Sequence, residues 1–247
     1  MLFHGLEGGS DSHYARAIAA HAVRRGWRVA IPHWRGCSGE PNRKPRAYHS
    51  GDSSEVDWLV ERFQPRCAIG VSLGGNALLK WLGERGEAAK PRIQRAAAVS
   101  APIDLPAAGR ALDRGLNRLL YTRHFLATLR PKSLAKLERF PGLYDAARVR
   151  AARSFREFDD LVTAPLHGFR DVEHYWSEAA SGPWLERIRV PTLLLNARND
   201  PFLPEHALLA AARNAAPCVL LEFPRNGGHV GFPHPWLAQR LLDFLDP

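Results

Sequence analysis

The sequence predicts an α/β fold, a mostly parallel sheet with helices on both faces. Three observations carry this. Short apolar runs alternate with amphipathic segments over residues 1–100 and again over 190–247, the rhythm of βαβ units. One apolar run, Arg66 to Val71, passes straight into Gly70-Val71-Ser72-Leu73-Gly74 and then into a helical pattern. Between the two alternating stretches, residues 101–189 are helical in pattern, rich in Arg and too long for a crossover. They read as a helical cap inserted before the strand that carries the expected acid. The chain is thus expected to comprise a first core part (1–100), the cap (101–189) and a second core part (190–247).

The elements follow in order. Met1 to Phe3 reads as the end of a buried strand that runs into a loop over 4–10. Asp11 or Ser12 caps a helix over 14–25, ended by Gly26. A short strand over 27–31 stops at Pro32, and a polar, Gly- and Pro-rich loop occupies 33–51. Asp52 or Ser53 caps a helix over 55–63. The strand over 66–71, the helix over 73–85 and a strand over 95–100 follow. The cap contributes helical segments over 105–121, 122–129, 132–140, 145–153, 154–160 and 171–179. The sheet resumes with a strand over 191–196, a helix over 205–214, a strand over 218–223 and a closing helix over 235–245. Right-handed crossovers put these helices on both faces of the sheet.

Composition excludes several classes. Hydrophobic residues make up 45% and charged residues 24% of 247 positions, enough apolar material for a sizeable core. The net charge of +9 comes mainly from scattered Arg. It points either to a compositional habit or to contact with an anionic membrane surface. No nucleic-acid-binding motif is present, so nucleic acid is not an expected partner. Three widely spaced cysteines, Cys37, Cys67 and Cys218, form neither a disulfide framework nor a zinc motif. With no secretory signal and no long apolar span, a reducing cytoplasm is the expected location.

The turn at Ser72 carries the chemistry. A serine on a tight strand-to-helix turn needs a strained backbone, and the positions two before and two after it need Gly because neighbouring backbone leaves no room for a Cβ. Gly70 and Gly75 also have the spacing of a phosphate loop, but Asn76 and Ala77 stand where that loop needs Lys and Ser or Thr,. A nucleophilic serine requires an acid and then a histidine, each on a loop leaving a strand. Asp200 follows the run Thr192 to Asn196, and His229 follows Val219 to Phe223. The order Ser72, Asp200, His229 is that of the nucleophile-elbow architecture, and parallel strands bring all three loops to one sheet edge. Imidazole would take the serine proton and the carboxylate would orient the imidazole. The backbone N–H of Leu73, with that of Leu6 from the His4-Gly5-Leu6 loop, would form the oxyanion hole. No metal or cofactor is called for. The other histidines lack paired metal-ligand spacing.

Taken together, His4 to Gly8, Arg35 to Arg43, Tyr48 to Gly51, Gly70 to Asn76, Phe158 to Asp160, Thr163 to Phe169, Asn199 to Phe202 and Gly227 to Phe232 resemble the YheT-like branch of the α/β-hydrolase superfamily. That superfamily includes eukaryotic α/β-hydrolase-domain proteins described as esterases and phospholipases. The resemblance implies a serine hydrolase of small-molecule or lipid carboxylic esters, with Ser72, Asp200 and His229 as its triad. An acyltransferase with the same triad and a non-catalytic binding protein are the alternatives, and oligomeric state is left open. The resemblance implies two further strands before the His-Gly loop; a late start or a truncation is the expected reason that this sequence does not show them. Without them, 27–31 is expected to be an exposed edge strand. Glu40, Asn42, Arg43, Tyr48 and His49 are expected either to brace the oxyanion loop or to touch substrate. Asp159, Asp160 and His167 are expected to stitch the cap to the core.

Overall fold

A computed structural model describes residues 1–246. Five strands, β1 (Leu2–Phe3), β2 (Cys67–Val71), β3 (Arg95–Val99), β4 (Thr192–Leu195) and β5 (Val219–Glu222), form one sheet in that spatial order. Every pairing is parallel. Side chains alternate across it with the period of two that a strand imposes. Ile69, Val71, Ala97, Val99, Leu193 and Leu195 face one apolar layer with α1 (His13–Arg24) and α12 (His234–Leu245). Ala68, Ala96, Ala98 and Leu194 face the other, with α2 (Ser53–Phe63), α3 (Leu73–Arg85) and α11 (Glu205–Ala212).

The second face is built from small residues around β2 and β3, and this lets α3 approach the sheet closely. A Cβ on Gly70 would stand 2.4 Å from the Gly74 carbonyl oxygen, and one on Gly74 would stand 2.4 Å from the Phe3 carbonyl oxygen. Further along α3, a Cβ on Gly83 would stand 2.3 Å from the Trp184 carbonyl oxygen. Packed on several sides, α3 is buried at every position from Leu73 to Leu79. Only its second half, with Lys80, Glu84 and Arg85, carries charged side chains that reach solvent.

Between β3 and β4 the chain is helical, as its pattern implies: α4 (Leu105–Leu112), α5 (Gly115–Asn117), α6 (Arg123–Arg139), α7 (Ala146–Ala151), α8 (Phe155–Phe158), α9 (Ala164–Leu166) and α10 (Val172–Ala179), with π-helical turns at Arg118–Thr122 and Asp159–Thr163. It has apolar centres of its own, one around Phe155, Tyr175 and Trp176 and one around Leu126, Val149 and Phe158. Asn76 on α3 ties it to the core. Its buried amide donates to the Ser50 and Ala179 carbonyls at 2.9 and 2.8 Å and accepts the Ser181 N–H at 3.0 Å. A Cβ on Gly51 would stand 2.6 Å from Ala179 Cα, so the loop and the insertion meet backbone to backbone.

Three expectations are corrected. Residues 27–31 do not form a strand. β1 offers them a single bond, from the Leu2 N–H to the Ala30 carbonyl at 2.9 Å, and no strand among the described residues lies on their other side, so no ladder starts. The helices expected over 122–129 and 132–140 are one helix, α6, with Pro131 inside it. Pro131 and Ala127 are both exposed, so the carbonyl that loses its N–H partner is solvated. The helix expected over 105–121 breaks after Leu112, where Asp113 turns back to accept the Phe155 and Arg156 N–H groups. Among the described residues no helix is long and apolar enough to cross a membrane.

Asn76→Ala strands buried polar groups on two segments at once, at Ser50 and at Ala179 and Ser181. It is expected to destabilise the protein by at least about 3 kcal/mol, measured by denaturant unfolding. A loss within about 1 kcal/mol would show that the insertion is held by its apolar contacts alone.

Candidate active site

The sheet delivers the expected residues to one place. Ser72 sits between β2 and α3 with φ 54° and ψ −120°, a conformation costing about 1–3 kcal/mol. Two bonds hold it there: its N–H donates to the Val99 carbonyl at 2.8 Å, and its carbonyl accepts the Asn76 N–H at 3.0 Å. The Ser72 hydroxyl lies 2.9 Å from His229 Nε2. On the other side of the ring, Nδ1 is 3.0 and 3.1 Å from the two Asp200 carboxylate oxygens. A carboxylate accepts, so Nδ1 carries the hydrogen and Nε2 is free to accept the hydroxyl proton. Asp200 is buried, 4% exposed, and also accepts the Phe202 N–H at 2.8 Å.

His229 is fixed from both sides along the chain. The preceding amide, Gly228 N–H, donates to the Asn199 side chain at 2.9 Å. The following one, Val230 N–H, donates to Ser100 Oγ at 3.0 Å. Gly227 is required because a Cβ there would stand 2.2 Å from the Phe232 ring. The imidazole is stacked on the Phe202 ring, with centroids 3.7 Å apart. Sequence reasoning did not assign Ser100, Asn199 or Phe202 these roles. Asn199 directly precedes the expected acid and Phe202 follows it by two residues. Ser100 follows a strand end at the same sheet edge and carried no other signal.

The His4-Gly5-Leu6 loop lies against Ser72. A Cβ on Gly5 would be 3.2 Å from Ser72 Cβ, and Leu6, Leu73 and Ser72 line one cavity. Neither the Leu6 nor the Leu73 N–H has an acceptor among the described residues. The loop is braced by groups the sequence left unassigned. Gly5 N–H donates to the Tyr14 hydroxyl at 2.8 Å. The buried His4 ring donates from Nδ1 to the Gly5 carbonyl at 2.8 Å and accepts the Trp34 N–H on Nε2 at 3.1 Å. Trp34 Nε1 returns a bond to the His4 carbonyl at 2.8 Å. Glu7 donates its N–H to the Tyr48 hydroxyl, accepts that hydroxyl's proton on its carboxylate at 2.8 Å, and pairs with Lys132 of α6 at 2.7 Å.

Of the five unassigned loop residues, Tyr48 therefore bonds to the loop beside Ser72. Glu40 and Arg43 are exposed. Asn42 accepts from Lys136 and donates to the Lys44 and Arg46 carbonyls. His49 packs among His167, Phe169 and Tyr175 on the cavity wall. Burial, with the charge of His167 behind it, holds the His49 ring well below its ordinary pKa. Asp159 and Asp160 bond within the insertion, to Thr163 and Trp176 and to Val172. Of the three, only His167 reaches the core part, at the Ala47 carbonyl, at 3.2 Å; Asn76, Lys132, Lys136, Asn117 and Tyr175, which accepts the Ser50 N–H, also tie the insertion to it.

The cavity holds about 350 Å³. Near Ser72 its wall is apolar, with Leu105, Leu112, Phe125, Phe155 and Phe202. Where α6 meets the loop over 35–47 it carries Arg35, Lys132, Lys136 and Arg139. Arg35 is paired with Glu55 and Lys132 with Glu7. Lys136 and Arg139 bond only to uncharged oxygens of Asn42 and Lys44, and burial followed by the Arg139 and Arg35 charges lowers the Lys136 pKa.

Burial lowers the His4 pKa from 6.5 to about 4. The native state then binds this proton less readily than the unfolded chain, so the stability His4 supplies is full above pH 6.5 and is lost as pH falls towards 4. Asp159, raised from 3.8 to about 6 by burial, has the opposite sign, stabilising below pH 3.8 and losing that contribution as pH rises through 6,. The His4 side chain is expected to stay neutral in the Nδ1–H form down to pH 5, read by NMR titration of the imidazole. An ordinary midpoint near 6.5 would refute this arrangement.

Comparison with known proteins agrees with the geometry. A family model described as alpha/beta hydrolase fold matches residues 1–234. A protein with a provisional esterase name, YheT of Escherichia coli (strain K12), is 38% identical over 99% of this chain and 75% of its own length. Phospholipase ABHD3 of Mus musculus is 31% identical over 94% of this chain, which spans only 57% of that protein. Among solved structures, an esterase from Exiguobacterium antarcticum superposes with a TM-score of 0.61 at 14% identity, covering 100% of this chain and 91% of that one, a likeness of fold alone. A parallel sheet with Ser72, Asp200 and His229 gathered at one edge, and matches spanning nearly the whole sequence, lead to one conclusion: the chain belongs to the α/β-hydrolase fold family, in the branch that holds YheT.

Proposed function

We propose that this protein hydrolyses carboxylic esters with an apolar acyl group, through an acyl-serine on Ser72. The observation that carries the reading is the unbroken chain of contacts from the Ser72 hydroxyl, 2.9 Å from His229 Nε2, to Asp200 on the other ring nitrogen. The ester-hydrolase names of its relatives support the same reaction class.

His229 Nε2 takes the Ser72 proton as Oγ attacks the ester carbonyl. The imidazolium that forms faces the Asp200 carboxylate, which also fixes the tautomer. The carbonyl π electrons move onto oxygen, and that oxyanion is received by the Leu73 N–H at the start of α3 and by the Leu6 N–H. Two features support these donors: the helix N-terminus carries partial positive charge, and the Leu6 loop is braced through Tyr14, His4 and Glu7. Collapse of the intermediate breaks the C–O bond, and His229 returns the proton to the leaving alcohol. Water then repeats the sequence on the acyl-serine, its proton passing to His229 and back to Ser72. In this reading the helical insertion acts as a cap, its Phe125, Phe155 and Leu112 side chains holding the acyl group. Lys136 and Arg139, the two cavity cations without a carboxylate partner, stand where a head group would emerge.

Ser72→Ala is expected to lower kcat/KM for p-nitrophenyl butyrate by at least about four orders of magnitude and to abolish labelling by a fluorophosphonate probe. A folded wild type that the probe leaves unlabelled would favour a binding protein instead. Asp200→Asn is expected to keep the fold and lower kcat on the order of ten-thousandfold. A fall of less than about tenfold in the same assay would remove Asp200 from the mechanism.

A further inference from the structure

The stretch between α4 and α6 shows water an apolar surface that the fold has no use for. Leu116, Leu119 and Leu120 are 74%, 63% and 61% exposed. Their spacing of i, i+3 and i+4 sets them on one side of the short helical turn formed by α5 and the π turn at Arg118–Thr122,. Scattered exposed leucines are ordinary, but adjacent ones on one ridge mark an interaction surface. Around them stand Arg110, Arg114, Arg118 and Arg123, all exposed. None forms an ion pair among the described residues. Asp113, the one acidic residue between Arg110 and Arg123, is turned inward to the Phe155 and Arg156 N–H groups.

The ridge is anchored from beneath, beside the site. Thr122 is buried and bonds the Leu112 carbonyl at 2.7 Å. Asn117 donates to the Pro201 carbonyl at 2.7 Å, one residue past the proposed acid. Tyr121 packs edge-on against Phe202 at 4.8 Å, and Phe202 carries the His229 ring. Whatever covers the leucines therefore lies at the rim of the cavity that contains Ser72.

We propose that this ridge docks on an anionic phospholipid surface. The leucines enter the acyl boundary and the four arginines lie among the phosphates, the arrangement of an interfacial amphipathic segment. Charge decides between occupants. In a two-fold pairing of this ridge with a second copy, the same patch faces itself, which sets unpaired arginines against unpaired arginines. An anionic bilayer neutralises them. A short ridge with three leucines gives reversible binding, so the protein would exchange between surface and solution. The consequence for substrate rests on the ester-hydrolase reading of the site: a lipid ester drawn from the surface would reach Ser72 past Tyr121 and Phe202 without crossing bulk water.

Docking is read separately from catalysis, by co-sedimentation with vesicles of equimolar phosphatidylglycerol and phosphatidylcholine. Wild type is expected to sediment with these vesicles, to be released by added salt, and to stay in solution with pure phosphatidylcholine. Ser72→Ala should bind like wild type, so failure of the hydrolase reading would leave this result standing. The triple variants Leu116→Ser, Leu119→Ser, Leu120→Ser and Arg114→Glu, Arg118→Glu, Arg123→Glu should each bind on the order of a hundredfold more weakly. Both should keep p-nitrophenyl butyrate hydrolysis within about twofold, since exposed substitutions perturb the fold little. Unchanged binding in both variants, equal binding to pure phosphatidylcholine, or no binding by wild type would each overturn the proposal. So would a wild-type dimer in sedimentation velocity that the serine variant turns into monomer.

Discussion

Everything at the site depends on how closely α3 lies against the sheet. Gly70 and Gly74 face backbone oxygens that leave no space for a side chain, and the alanines of β3 extend the same flat face. An α3 held even one methyl group further out would let Ser72 relax from its positive φ and swing its hydroxyl away from His229. Interiors packed at crystal density transmit such a displacement without absorbing it. The strain at Ser72 is therefore an outcome of the helix–sheet contact, maintained by the burial of α3 on its other sides.

From that fixed point the remaining groups are positioned by short polar ties between loops. His229 sits on a loop with little regular structure, yet its neighbouring amides are bonded to the loops that follow β3 and β4. The loop ahead of Ser72 is held by Tyr14 from α1, Trp34 and Tyr48 from the long loop, and Lys132 from the insertion. Donors aimed at a developing charge, the role proposed for the Leu6 and Leu73 N–H groups, are effective because they need not reorganise when it forms. These ties supply that rigidity at the cost of several buried polar groups, nearly all of which are satisfied.

Much of this was legible in the sequence. The alternation of strands and helices and the three loop positions follow from hydrophobic runs and the loop residues after them, signals local enough to survive without tertiary context. The parts that were not legible depend on a distant partner. Residues 27–31 have the composition of a strand but one bond to a neighbour, and no local pattern reveals a missing ladder. Pro131 reads as a break, but its effect depends on whether Ala127 faces water. Asn76 entered the reading only because it was not Lys. Its four contacts lie 26, 103 and 105 residues away. Trp34 was the overlooked clue, since an aromatic residue in a loop otherwise rich in charge, Gly and Pro is seldom left in solvent.

The hydroxyl of Ser72 and the ring of His229 are 157 residues apart along the chain. A polypeptide made from its N-terminus presents the serine turn, and much of the helical insertion, long before the last β-strand and its loop exist. Throughout that interval Ser72 stands without His229, the base proposed for it. In the proposed mechanism ester cleavage is a property of the finished fold, and its onset during refolding would time the docking of the C-terminal segment, one of the longest-range closures the topology requires.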